Sequence, residues 1–154
     1  AFMLGAKGKV DFVISMAGIG VKGDTALTAQ ANKILELTGQ SMRFSTHQYR
    51  MNAIIERSPW LNFFIDYDPS GDISKTLCPV MAINGSRDVQ VIPLLNLMGI
   101  KVHLKPNSKN IIKEYPSLNH LFQHCKTGNV LEYRMIEETI SPEVLEDIVR
   151  FIKQ

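Results

Sequence analysis

Two segments of this chain carry residue types whose spacing could do chemistry together. Cys78-Pro79-Val80-Met81-Ala82-Ile83-Asn84-Gly85-Ser86-Arg87-Asp88 reads as a buried strand that ends in a turn with an acid. Asn110-Ile111-Ile112-Lys113-Glu114-Tyr115-Pro116-Ser117-Leu118-Asn119-His120 reads as a second strand, ending in a turn with a histidine. Open α/β sheets place their ligands just past the carboxyl ends of such strands. An aspartate that fixes the tautomer and orientation of a histidine is two-thirds of a nucleophilic triad. Taken singly, Asp88 after Gly85 is ordinary turn chemistry and His120 after Asn119 is an ordinary loop residue. Their placement after successive strands, acid before histidine, is what makes them a pair. No Gly-x-Ser-x-Gly occurs in the sequence, so a serine served by this pair is expected to lie outside the chain.

The other reactive side chains carry weaker signals. Ser15 and Ser86 lie near strand ends but lack the flanking glycines of a nucleophile elbow, and Ser117 reads as a turn residue. His47, His103 and His124 have no carboxylate or cysteine at metal-ligand spacing. His124 stands four residues after His120, a spacing zinc ligands use on a helix, but no glutamate follows His120. Cys78 and Cys125 form neither a metal nor a redox pattern; Cys78 reads as a small core residue, and a disulfide between the two is left open, as is the compartment. Trp60, Phe63 and Phe64 read as core or, in a cap, as cover for a site.

Strands and helices alternate along the chain, which argues for parallel βαβ units. The amino terminus reads as the end of a helix stopping near Gly8. Val10 to Ala17 reads as a buried strand, apolar on both faces as in the centre of a parallel sheet. Asp24 is expected to cap a helix running through Leu27, Ala31, Ile34 and Leu35 to Leu37, with Gly39 as its stop. Residues 41 to 64 are harder to divide: 49 to 57 has helical periodicity and Pro59-Trp60 breaks it. Leu77 to Asn84 is the second strand, with Pro79 at its start. Pro93 to Leu104 is helical, interrupted at Gly99, and Ile111 to Tyr115 is the third strand. Pro142 after Ser141 opens a closing helix whose stripe Val144, Leu145, Ile148, Val149 and Ile152 faces a core.

Composition excludes more than it proposes. The 154 residues are one domain's worth of chain, and 45% apolar with 21% charged content is that of an ordinary globular protein. A net charge of +2 with scattered basic residues argues against nucleic acid or an anionic membrane as a partner. Lys101, Lys105, Lys109 and Lys113 are expected to be solvated. No stretch approaches the roughly 18 apolar residues of a membrane span.

The chain resembles the carboxyl-terminal half of an α/β-hydrolase of the bacterial esterase-like branch, similar to dienelactone hydrolases and acyl-peptidases. The matching pieces are Pro79 to Val91, Leu118-Asn119-His120-Leu121-Phe122-Gln123, and Ile140 to Leu145 with the last helix; Val10 to Gly20 resembles the strand after the nucleophile helix. The resemblance implies an α/β fold with a parallel sheet of about three strands flanked by helices and a cap-like segment at about residues 39 to 67, all within one partial hydrolase domain spanning residues 1 to 154. It implies that Asp88 is the triad acid and His120 the general base for ester or acyl amide hydrolysis, with a small-molecule substrate and no metal or organic cofactor. The expected chain is a piece of a longer protein, inactive alone, that pairs with itself or with its front half. The alternative is a non-catalytic α/β module that binds or dimerises. A flavodoxin-like domain is disfavoured by the lack of a glycine-rich phosphate loop after the first strand.

Overall fold

The computed structural model describes residues 1–52 and 58–154. Three strands, β1 (Val13–Met16), β2 (Val80–Gly85) and β3 (Ile111–Tyr115), form one parallel sheet in the order β1-β2-β3. Val13 pairs with Val80 and Met16 with Ile83; Met81 pairs with Ile111 and Gly85 with Tyr115. Among the described residues seven α-helices accompany the sheet: α1 (Phe2–Gly5), α2 (Gly23–Leu37), α3 (Thr46–Asn52), α4 (Pro59–Asp66), α5 (Ser70–Lys75), α6 (Pro93–His103) and α7 (Pro142–Ile152). A 3-10 turn, Val130–Met135, lies between β3 and α7. No helix among the described residues is long and apolar enough to cross a membrane.

Alternation along the strands divides the core into two layers. Met81, Ile83 and Tyr115 point to one face and meet Leu118, Phe122, Val144 and Phe151. Val80 and Ala82 point to the other and meet Phe2, Ile73, Leu97 and Ile100. All six residues of β2 are buried, as expected for a strand covered on both faces. β1, by contrast, is an edge strand here and shorter than its apolar run, because only Val13 to Met16 find ladder partners on β2.

Several elements differ from the sequence expectation for identifiable reasons. Asp24 is not the cap of α2, since Lys22 takes that position. The Asp24 carboxylate lies inside the first turn, 2.8 Å from Arg50 and 3.4 Å from Lys22. Burial works against its charge, but Arg50 and Lys22 overcome that and hold its pKa below the usual value. Gly99 does not interrupt α6. A β-carbon there would stand 2.3 Å from the Gly20 carbonyl oxygen, and one on Gly20 would stand 2.0 Å from that of Asn96, so these two glycines let the loop after β1 lie directly on the helix. Buried Asn96 completes the seam by accepting the Gly20 amide at 3.0 Å.

Pro59 opens α4 rather than ending a helix, with Ser58 as its cap. The helical reading of 49 to 57 is met by α3 as far as Asn52, and the remainder falls outside the described residues. On α7 only part of the apolar stripe is covered: Val144 is buried, whereas Leu145, Val149 and Ile152 are about half exposed. Lys113 is not simply solvated. It bridges Glu143 at 2.8 Å and Asp147 at 2.7 Å, tying α7 to β3.

Candidate functional site

The loops after β2 and β3 are stitched together before either reaches its reactive side chain. The Ser86 amide donates to the Tyr115 carbonyl (2.8 Å) and the Arg87 amide to the Leu118 carbonyl (2.9 Å). The Ser117 amide donates to the Ser86 hydroxyl oxygen (2.9 Å), and the Arg87 guanidinium donates to the Cys125 carbonyl. Gly85 is what allows so close an approach. A β-carbon there would stand 2.3 Å from the Leu118 carbonyl oxygen and 2.6 Å from that of Asn119, well inside contact distance. Ser86, weighed as a nucleophile from the sequence, is thus a tie between the loops.

Each loop is then fixed from within by a buried amide side chain. Asn84 donates to the Val91 carbonyl (2.8 Å) across the acid loop. Asn119 accepts the amides of Leu121 (2.9 Å) and Gln123 (3.0 Å) and donates to the Gln123 side chain (3.0 Å). These bonds close a small loop from Ser117 to Cys125, in which Ser117 and Phe122 take φ of +63° and +60°. Left-handed backbone at non-glycine residues is uncommon and gathers where loops are held in a defined shape for function. His124 anchors the far side: its backbone amide and Nδ1 both meet the Glu138 carboxylate, at 2.6 and 3.0 Å. The His124 amide, more than its ring, draws the Glu138 pKa below its usual range. His124 thus ties the loop to Glu138, and among the described residues no group of three or more His, Cys, Asp or Glu side chains is placed to hold a metal ion.

The outcome of this scaffolding is a single contact. His120 Nδ1 lies 2.8 Å from Asp88 Oδ2. The Asp88 side chain is fully buried while that of His120 is 27% exposed. Asp88 Oδ1 accepts the Gln90 and Val91 amides at 2.8 and 2.9 Å. One carboxylate oxygen is thus fixed by the backbone and the other faces the imidazole. A carboxylate facing Nδ1 favours the tautomer with the proton there, leaving the Nε2 lone pair as the base. Among the described residues Nε2 has no hydrogen-bond partner, so the pair is oriented but holds no hydroxyl to act on.

Sequence reasoning did not single out two further residues here. The Gln90 side-chain amide donates to the Tyr133 hydroxyl at 3.1 Å, so the 3-10 turn is tied to the acid loop. Burial raises the Tyr133 pKa, Gln90 opposes that, and the Asp88 charge adds to it. No spacing in the sequence announces this bond, which spans 43 positions. Ser15 is buried beneath the loop after β1, and Cys78 and Cys125 are free thiols. Trp60 and Phe63 stack on Phe64 and Tyr67 along α4 and remain more than half exposed, so they are not core.

The sequence matches no protein-family model, and a search of curated proteins finds no match. The fold is α/β, with a three-stranded parallel sheet whose carboxyl end presents an oriented aspartate–histidine pair.

Proposed function

We propose that Asp88 and His120 are the acid and general base of a serine-hydrolase-type site for carboxylic esters or acyl amides. The serine would come from a segment outside these 154 residues. The observation that carries the reading is the Asp88–His120 contact, with the base nitrogen unpartnered among the described residues. In the reaction, Nε2 takes the proton of the serine hydroxyl as its oxygen bonds to the acyl carbon. The same proton then passes to the departing alcohol or amine, leaving an acyl-serine. Water enters by the reverse sequence and releases the acid. Asp88 stays ionised throughout and stabilises the imidazolium. In this reading residues 39–67, which hold α3 and α4, belong to a cap over the substrate.

The test uses the complete reading frame that encodes these residues, expressed and assayed with 4-nitrophenyl acetate and butyrate. Turnover is expected, with His120→Ala and Asp88→Asn each lowering kcat by about 10⁴-fold or more. The 154 residues alone should show no turnover and no labelling by a fluorophosphonate. Full activity of His120→Ala, or labelling at Ser15, Ser86 or Ser117, would overturn the proposal.

A second reading, an association module, is favoured by a different observation. Among the described residues β1 pairs only with β2, and Phe12 just before it and Met16 at its end are about 40% exposed. An unpaired strand edge with apolar neighbours is a template for association. The expected partner is a second copy of the chain or the remainder of its own sheet.

A further inference from the structure

The acid loop has an apolar neighbour that the acid–histidine pair does not use. Ile34, Leu37 and Thr38 at the end of α2, Val89 of the acid loop, and Val130 and Leu131 of the 3-10 turn enclose a slot of about 220 Å³, with Asn129 at its rim. We propose that this slot receives the hydrocarbon part of the substrate, a saturated acyl chain, a proposal that rests on the hydrolase reading above.

Chemistry selects the occupant. The slot's polar oxygens are already engaged: the Thr38 hydroxyl donates to the Ile34 and Leu35 carbonyls at 3.1 and 3.0 Å, and the Asn129 side-chain oxygen accepts the Leu131 amide at 2.9 Å. Apart from the Asn129 side-chain nitrogen, a polar ligand group would find little there to replace its water, while a methylene chain loses no hydrogen bond on entering. Four of the apolar lining residues stay well exposed in spite of the enclosure, Leu131 most of all at 69%, and contiguous exposed apolar surface marks a binding site. Size narrows the choice. At about 30 Å³ for each water-sized group, 220 Å³ holds about seven, which suits a short acyl chain and falls below the volume of pockets that enclose whole drug-sized ligands.

Position relates the slot to the chemistry. Val89, nearly buried on the slot's wall, is the residue after Asp88. Val130 and Leu131 of the lining belong to the turn that carries Tyr133, whose hydroxyl is tied to Gln90. Slot and acid–histidine pair are therefore held by one stretch of backbone, Asp88 to Gln90. The larger cleft beside Ser86 and Asp88, about 460 Å³, is a poorer candidate. Its lining mixes Lys33, Arg43, Glu36 and Glu114, and Lys33 is already paired with Glu36 at 2.7 Å.

The test is binding to the 154-residue chain, which needs no turnover. Straight-chain carboxylates from propanoate to octanoate are titrated while the methyl signals of Val89, Val130 and Leu131 are followed by NMR. Saturable shifts at these methyls are expected, with affinity rising about fourfold for each added methylene and levelling off near seven carbons. Leu131→Asp, at an exposed position, should abolish the shifts while leaving the methyl signals of the β2 core in place. Ile34→Trp, which fills the slot from its rim, should shorten the longest chain accepted. Absent shifts, or affinity independent of chain length, would overturn the proposal. So would saturation of the same methyls by a leucine-containing peptide but not by octanoate, which would make the slot a polypeptide dock. Failure in these titrations leaves the acid–histidine reading standing, whereas an inactive reading frame with saturable, chain-length-dependent shifts would keep the slot as an acyl-chain site and overturn its assignment to a substrate, so the two failures are distinguishable.

Discussion

The two loops at the carboxyl end of the sheet and the outer edge of β1 are built on opposite terms. Around Asp88 and His120, polar groups are deeply buried and bonded: Asn84, Asp88, Asn119 and Gln123 all lie in the interior, each with hydrogen bonds. No buried side-chain nitrogen or oxygen among the described residues lacks a partner. Along β1 the ladder serves one side only, and Phe12 and Met16 meet solvent. Buried polar networks that are fully satisfied specify a single geometry, whereas exposed apolar edges specify an association. One region is hydrogen-bonded throughout, and the other leaves a strand edge unpaired among the described residues.

The most damaging change to the hydrogen-bonded region should be Gly85→Val. The nearest obstacles to a β-carbon are carbonyl oxygens of the His120 loop, so the backbone itself must move. A cost of about 3 kcal/mol or more is expected, with separation of His120 from Asp88. Urea unfolding gives the first, and loss of the Asp88-dependent imidazole signal gives the second.

Asn119→Ala should follow at about 2–3 kcal/mol, because it strips the buried Gln123 amide and the half-buried Leu121 amide of their acceptor and the Gln123 side chain of its donor. Asn119→Asp keeps the acceptor and should recover part of that loss. Equal costs for the two variants would mean that the donor bond to Gln123 dominates.

Acid should loosen the α7 side of the sheet next. Lys113 first, and the Tyr115 hydroxyl second, hold the Asp147 pKa below its ordinary value of 3.8. A carboxyl group whose pKa is depressed in the folded state takes up its proton more readily when unfolded. Its contribution is therefore present above pH 3.8 and fades as pH falls through the lowered folded value. The urea midpoint should drop between pH 5 and pH 3, and Asp147→Asn should flatten that drop. An unchanged slope in the variant would assign the acid sensitivity elsewhere.

The smallest effect on folding should come from the β1 edge. Met16→Ser, on an exposed position of the edge strand, should change the stability of the monomer by no more than about 0.5 kcal/mol. It should nonetheless weaken self-association, as read by sedimentation at tens of micromolar. A wild-type chain that stays monomeric at that concentration would show that the β1 edge does not drive pairing.

The same contrast governs how much could be read from the sequence. The strands were legible because apolar runs such as Val80 to Ile83 have one stable destination, a doubly covered parallel sheet. Asp88 and His120 stood out as turn residues behind those runs, and the structure brings them into contact. The division of residues 41 to 76 into α3, α4 and α5 was not legible. Tertiary contacts, such as Arg50 reaching both Asp24 and Asp66, override weak local periodicity there. Gly99 misled because a helical glycine reads as a break, and nothing local shows that Gly20 packs on it. The Gln90–Tyr133 bond and the apolar slot were invisible for a similar reason: both join segments far apart in the chain without a motif.

The Asp88–His120 pairing is the central claim, and the ring nitrogens of His120 test it most directly. With the imidazole selectively ¹⁵N-labelled and neutral, the spectrum should show Nδ1 protonated and Nε2 bare, with the Nδ1 proton shifted far downfield by the Asp88 carboxylate. Asp88→Asn should abolish both the downfield proton and the tautomer preference while leaving the backbone spectrum of the loop nearly intact. A wild-type ring protonated mainly on Nε2, or a spectrum indifferent to Asp88→Asn, would contradict the pairing and the base assigned to it.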